Sequence, residues 1–350
     1  MSSDLIFFTG FEGCTSSVEL MQSFSACYNV QLDSPGLRIS DGFLGGKCMR
    51  QGAANSRAVI ALPINLRQVH FGFHIYQDEI STSSFTSIYF QDGASLQLSF
   101  RDYEKIRLNF FNSNNISIFI IDVDALIVQH MWFHVEGFIN VDTQSIIIKI
   151  NGITVINEST ISALSSTNLN NFNFHSISGH LTRRRYVYID NIWIHKSKSL
   201  GQAVSFFSKP IADGHYVPNS GFFHTNDGSS EGWAKLQAMD GDTNYIYSSV
   251  ANAKFTCKQE EIPIGYNPVA YSIQSVYRHN TGGNLLYVRD LKRYNALGID
   301  FSGEIRAVPD TYTHSHLYRT NYDEAPDGTE LTRDKINDME IGSKLVELEE

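Results

Sequence analysis

The feature that most constrains this chain is an alternation of apolar and polar residues that restarts every few positions through its first two hundred residues. Val69-His70-Phe71-Gly72-Phe73-His74-Ile75-Tyr76 shows it most cleanly. Val69, Phe71, Phe73 and Ile75 fall on one face of an extended strand, and His70, Gly72, His74 and Tyr76 fall on the other. Comparable runs follow at 85–90, 95–100, 106–111, 116–121, 131–139, 144–150, 153–156 and 186–194. Asn151-Gly152 stands between two of these runs. Both residues tolerate the positive φ of a tight type I′ turn, so the pair predicts a hairpin. The Asn- and Ser-rich stretch 158–173 reads as a long loop. Many short strands, with no long amphipathic helix before residue 325, predict an all-β sandwich rather than a βαβ fold.

At 350 residues the chain exceeds one ordinary domain. Gly201, Pro210, Gly214, Pro218 and Gly221 crowd into the stretch after residue 196 and mark a crossing segment. A second β-rich block follows, in which Pro268 to Arg278 reads as the central strand. Near the end, Thr332 is placed to cap a short helix, Asp334 suits its positive end, and Gly342 reads as its C′ residue. The expected division is a sandwich over 1–198, a linker over 199–227, a second, smaller β-domain over 228–318, and a tail with a short helix over 319–350.

Composition removes several function classes. Hydrophobic residues make up 42% and charged residues 18%, which excludes disorder as the main state. A net charge of −10 supplies no cationic surface for nucleic acid. No stretch approaches the eighteen apolar residues of a membrane-spanning helix, so no membrane partner is expected. Met1 to Phe8 has neither the basic start nor the long apolar core of a secretion signal. Cys14, Cys27, Cys48 and Cys257 form no C-x-x-C pair and are expected as free thiols, although three of them lie within 35 residues. The charge is concentrated at one end. Residues 323–350 hold ten acids against three bases, a net of −7, which leaves −3 for the other 322 residues.

Three pieces of the first block are Trp132-Phe133-His134-Val135-Glu136, Ile146 to Gly152, and Tyr188-Ile189-Asp190-Asn191-Ile192-Trp193-Ile194. In that order they resemble the laminin-G/concanavalin-A-like jelly roll. Three further pieces follow: Asp240 to Ser249, the strand Val269 to Tyr277, and Thr332-Arg333-Asp334-Lys335-Ile336-Asn337 with Ile341-Gly342. The whole series is similar to tailed-bacteriophage virion structural proteins that carry a lectin-like domain followed by a second β-domain. Those proteins end in a motif like W-T-x-x-x-I-N-x-x-x-x-G, and here Leu331 stands where Trp is usual. The resemblance implies a non-enzymatic virion component (tail, collar, fibre-associated or capsid-decorating). Such a component would be made in the host cytoplasm, form a homo-oligomeric array with other virion proteins, and display a lectin-like domain. The alternatives are a host-surface glycan-binding attachment protein and, third, a glycan depolymerase.

The residues that could carry chemistry are few. Retaining hydrolases on this sandwich resemble E-x-D-x-x-E along one strand, and no such string occurs. The acid pairs Asp122/Asp124 and Asp102/Glu104 read as solvated strand-end carboxylates. No catalytic residue is therefore expected. Asp240, Asp242 and Asn244 place oxygens at alternate positions, as calcium loops do. A loop of the EF-hand type would need Gly and an acid where Tyr245 and Ala251 stand, so an Asx-capped turn is the expected reading and no cofactor is assigned. His314 and His316 share a strand face without a third ligand, and surface hydrogen bonding is the expected role. Sugar recognition needs exposed rings beside fixed polar groups, and His74, Tyr76, Tyr89 and Tyr103 are the candidate glycan face. Arg183 and Arg185, in the one basic run, are candidate assembly contacts for Asp334, Asp338 or Glu340 of a neighbouring subunit.

Overall fold

The computed structural model describes residues 4–11, 30–33, 37–45, 47–51, 56–63, 65–77, 84–101, 105–124, 130–162, 164, 167–176, 186–206, 208–217, 223–237, 243–277, 286–308 and 316–346. The chain divides into two compact units, Met1–Ser205 and Phe206–Glu350. Among the described residues no helix is long and apolar enough to cross a membrane.

The first unit is a two-sheet sandwich. Its strands begin with β1 (Leu5–Thr9), β2 (Val30–Asp33), β3 (Leu37–Asp41), β4 (Lys47–Gln51) and β5 (Ser56–Ala61). The middle of the series is β6 (Gln68–Gln77), β7 (Ser84–Phe90), β8 (Ser95–Phe100), β9 (Lys105–Phe111) and β10 (Ser117–Asp124). It closes with β11 (Phe133–Asn140), β12 (Ser145–Ile150), β13 (Ile153–Glu158), β14 (Leu169–Ser176) and β15 (Val187–His195). One sheet runs β13-β12-β11-β6-β15-β4-β3, with β1 also on β15; the other runs β10-β9-β8-β7-β14-β5-β2. Asn151 and Gly152 take φ of 49° and 81°, the turn their sequence predicts.

The alternation decides which face is buried. Val69, Phe71, Phe73 and Ile75 of β6 are at most 1% exposed. They meet the other sheet edge-to-face: Phe73 on Phe174 at 5.1 Å and 86°, Phe71 on Phe172 at 5.0 Å and 61°. Such pairs add roughly 0.5–1.5 kcal/mol each to the burial itself. The stretch expected as a loop over 158–173 contains β14, a strand between β7 and β5. Its asparagines hide an alternation in which Leu169, Phe172 and Phe174 point inward and are buried.

The second unit is also β-rich. Its strands are β16 (Pro210–Asp213), β17 (His224–Thr225), β18 (Ile246–Tyr247), β19 (Lys254–Gln259) and β20 (Tyr271–Tyr277), then β21 (Leu286–Tyr294), β22 (Ile299–Ser302), β23 (Arg306–Val308), β24 (His316–Tyr322) and β25 (Met339–Val346). The main sheet runs β16-β19-β25-β21-β22 with β23 on β21, and β17-β18 and β20-β24 are two-stranded. The strand read from sequence over 268–278 is therefore one half of a ribbon. The central position belongs to β25, from the segment expected as a tail.

The terminal motif has a physical account. Leu331 is buried with Tyr294, Ala325 and Met339, so the smaller side chain still anchors a core. Thr332 accepts a hydrogen bond from the Lys335 N–H at 3.3 Å and caps α1 (Arg333–Asp338). Asn337 Oδ1 accepts from the Ile262 N–H at 2.9 Å. Gly342 is not the C′ residue of the helix, which ends at Asp338 and passes straight into β25. A Cβ at Gly342 would overlap the Phe255 carbonyl oxygen on β19. Glycine is required there because two strand backbones approach closely. Gly342→Ala is expected to destabilise the second unit by about 1–3 kcal/mol or more, read as a lower thermal unfolding midpoint.

Candidate glycan-binding faces

The outer face of the second sheet is built by the polar half of the same alternation. In β8, Leu96, Leu98 and Phe100 are buried in the core, so Gln97 and Ser99 point away from it. In β9, Ile106, Leu108 and Phe110 do the same for Arg107 and Asn109. Register aligns these residues into rows. Asn109 lies opposite Gln97, and Gln97 opposite Ser87. In the next row Phe111 lies opposite Ser95, Ser95 opposite Tyr89, and Tyr89 opposite Asn171. A row across four strands spans roughly 14 Å.

Both rows are uncharged. Ser117 Oγ donates to Asn109 Oδ1 at 2.6 Å. The buried Asn171 Oδ1 has no hydrogen-bond partner among the described residues. The bordering charges neutralise each other: Arg107 grips Asp122 through two contacts of 2.7 and 2.8 Å and holds that carboxyl below its ordinary range. Ser87 and Ser95 are buried, and the half-buried amides of Gln97, Asn109 and Asn171 with the Tyr89 ring form a neutral floor that suits a ligand rich in hydroxyls and free of charge.

The candidate glycan residues do not share one face. Tyr89 stands on the second sheet, Tyr103 lies outside the described residues, and His74 and Tyr76 stand on the outer face of the first sheet. His74 is no surface group. It is 3% exposed, stacks under Phe43 at a ring separation of 4.2 Å, and lies 4.9 Å from His134. The Phe43 N–H donates to Asp190 Oδ2 at 2.8 Å, which fixes Phe43 over it. Burial lowers the pKa of His74 to about 3 and that of His134 to about 4. Tyr76 is half-buried and belongs to a run of rings with Tyr188 at 5.3 Å and Trp132 at 5.6 Å.

The other candidates separate as follows. Asp122 pairs with Arg107 and Asp124 with Lys105 at 3.8 Å, while Asp102 and Glu104 lie outside the described residues. Asp240 and Asp242 are also outside them, and Asn244 Oδ1 faces Lys235 Nζ at 3.5 Å, a cation where a metal ligand would need none. Among the described residues no cluster of three or more His, Cys, Asp or Glu is placed for a metal ion. Arg183 and Arg185 lie outside the described residues. Asp334 is exposed, and Asp338 accepts from the Ala296 N–H at 3.0 Å. Glu340 is 2% exposed and accepts from the His215 N–H and from Thr256 Oγ1, at 2.6 and 2.8 Å. It ties β19 to β25 internally and is not available to a neighbour. Cys48 and Cys257 are free buried thiols, and burial pushes Cys48 up to about 12. Cys14 and Cys27 lie outside the described residues.

The amide row was missed in the sequence because Asn171 sat in a stretch read as loop. The signal was present as Leu169-Asn170-Asn171-Phe172-Asn173-Phe174, a strand alternation with asparagine as its polar half.

No protein-family model matches the chain, and no curated protein does. Among solved structures it is similar to the binding domain of Paraclostridial Mosquitocidal Protein 1, with 12% identity and a TM-score of 0.42 over 99% of this chain and 98% of that one. It is also similar to a botulinum neurotoxin type C structure described as dependent on two ganglioside molecules for cell entry, with 10% identity and a TM-score of 0.43 over 99% and 98%. Domain 4 of the arabinanase AbnA from Geobacillus stearothermophilus, solved with arabinotriose, matches at 13% identity and 0.40 over 56% and 94%. At these identities and scores the likenesses say nothing about the ligand of this chain.

The buried histidines set a pH dependence. Their folded pKa values lie below 6.5, so the fold accommodates the neutral rings. Below pH 6.5 the unfolded chain takes up protons that the folded chain refuses. Stability is therefore full above that pH and falls as pH drops towards 4 and 3. The expected loss by pH 4 is several kcal/mol, about 3 kcal/mol at most from each ring, measured by denaturant titration between pH 7 and pH 4. The double variant His74→Leu, His134→Leu is expected to flatten that slope.

Proposed function

We propose that this chain is a non-enzymatic glycan-binding protein that holds a neutral oligosaccharide across the outer face of its second sheet. The observation that carries this reading is the uncharged double row Asn109–Gln97–Ser87 and Ser95–Tyr89–Asn171, in which the half-buried Asn109, Gln97, Tyr89 and Asn171 reach solvent around the buried Ser87 and Ser95. The side-chain amides of Gln97 and Asn109 can donate to and accept from sugar hydroxyls. Tyr89 would offer its ring to the apolar face of a sugar. The non-enzymatic part of the proposal is supported by the carboxylates of β10, which are tied to Arg107 and Lys105 and leave no acid–base pair beside the face among the described residues.

The setting proposed is a bacteriophage virion, in which many copies display this face towards a host surface. That setting is supported by the order of motifs from Trp132 to Gly342 and by the physical roles of Leu331, Thr332, Asn337 and Gly342 in the terminal motif. An uncharged sheet face binds weakly one copy at a time, and a repeated array converts weak sites into firm attachment.

The test is a glycan array with the purified chain, followed by calorimetry. Binding of neutral oligosaccharides is expected. Gln97→Ala and Asn171→Ala are each expected to weaken it about tenfold with the unfolding midpoint unchanged. Indifference of both variants would remove the assignment of this face, and release of reducing sugar would replace it with an enzyme.

A further inference from the structure

The outer face of the first sheet carries a second, chemically different arrangement. Arg50 on β4 lies directly opposite Tyr188 on β15, and Tyr188 lies directly opposite Tyr76 on β6. The rings continue without a gap: Tyr186 to Tyr188 at 6.4 Å, Tyr188 to Tyr76 at 5.3 Å, Tyr76 to Trp132 at 5.6 Å. Successive rings are inclined by 64°, 82° and 41°, so they form a stepped platform that offers one ring face at a time, and not a cage. Each is half-buried, with its remaining surface open to solvent.

The cationic end of the platform is unusual. Arg50 Cζ sits 4.7 Å over the Tyr186 ring. Its guanidinium makes no hydrogen bond or ion pair with any described residue, and its Nε is buried with no acceptor. That nitrogen is closed to solvent, but the half-exposed residue leaves guanidinium surface open, and a carboxylate is the acceptor that matches it. On its other side Arg50 lies directly opposite Arg38 of β3.

We propose that Arg50, with Tyr186, Tyr188, Tyr76 and Trp132, forms a binding site for a carboxylated sugar, separate from the neutral-glycan face on the opposite sheet. Arg50 takes the carboxylate through its outer guanidinium nitrogens, and the sugar ring lies on Tyr188, which Tyr76 meets edge-on at 82°. The platform recognises one acidic unit at the end or branch of a polysaccharide, while the amide rows hold neutral units. A chain with both sites grips an acidic capsule-type polysaccharide from two sides of one sandwich.

The test uses the full chain and two probes, a glucuronate-containing tetrasaccharide and the same tetrasaccharide with its carboxyl reduced to an alcohol. Calorimetry is expected to show binding of the acid form, weakening with added salt, and at least tenfold weaker binding of the reduced form. Arg50→Gln is expected to abolish the difference between the probes. Arg50→Lys, which keeps the charge without the fork, is expected to restore part of it. Binding of neutral oligosaccharide by Arg50→Gln is expected to match the parent chain, and Asn171→Ala is expected to keep the acid-form binding. Equal binding of both probes by the parent chain, or unchanged discrimination in Arg50→Gln, overturns the proposal. Capture of a sulfated tetrasaccharide in place of the carboxylated one overturns its ligand class. Those results leave the neutral-glycan face standing, because its own variants read it separately.

Discussion

The first unit depends on the contact between β6 and β14 across the sandwich. Phe71 and Phe73 meet Phe172 and Phe174 edge-to-face in the middle of the core. This layer sets which half of each strand faces inward, because a slip of one residue would turn four phenylalanines out into water. With the inward half committed, the outward half has no freedom left. Gln97, Asn109 and Asn171 must line one outer face, and Tyr76, Tyr188 and Arg50 must line the other. Both candidate sites follow from how the core is packed. The buried Gln51 side chain reinforces the layer by donating to the Phe174 carbonyl at 3.0 Å.

The second unit rests on a different device. Its central strand β25 comes from the chain's acidic end, and its place between β19 and β21 needs a glycine at 342 and a carboxylate at 340. Glu340 accepts two internal hydrogen bonds at positions where an apolar residue would leave the His215 N–H and the Thr256 hydroxyl without this acceptor. Part of the charge that looked like a solvated tail is therefore interior structure. Leu331, Thr332 and Asn337 then fix α1 ahead of that strand. The terminal motif is a strand-insertion signal: an apolar anchor, a cap, a loop clasp and a place for close backbone approach.

The first unit was largely legible because one face of each strand is buried and period two is visible over six to ten residues. Where the polar half was asparagine, as in β14, the pattern was masked by residues that also favour turns. His74 shows the opposite failure. Its outward position in β6 was correct, but the turn at Phe43 that covers it comes from a distant part of the chain. The end segment was misread because net charge says nothing about which one of ten acids has buried donors waiting for it.

By itself the sequence determined the all-β class, the inward face of most strands, the Asn151-Gly152 turn and the Thr332 cap. Each of these depends on neighbours within a few residues. Tertiary structure alone decided that Tyr76 and Tyr89 stand on opposite sheets, that Arg50 faces Arg38 and Tyr188, and that the last strand fills the middle of a sheet. Those facts depend on strand order and register, which join residues from a dozen to well over a hundred positions apart, and no local period records them.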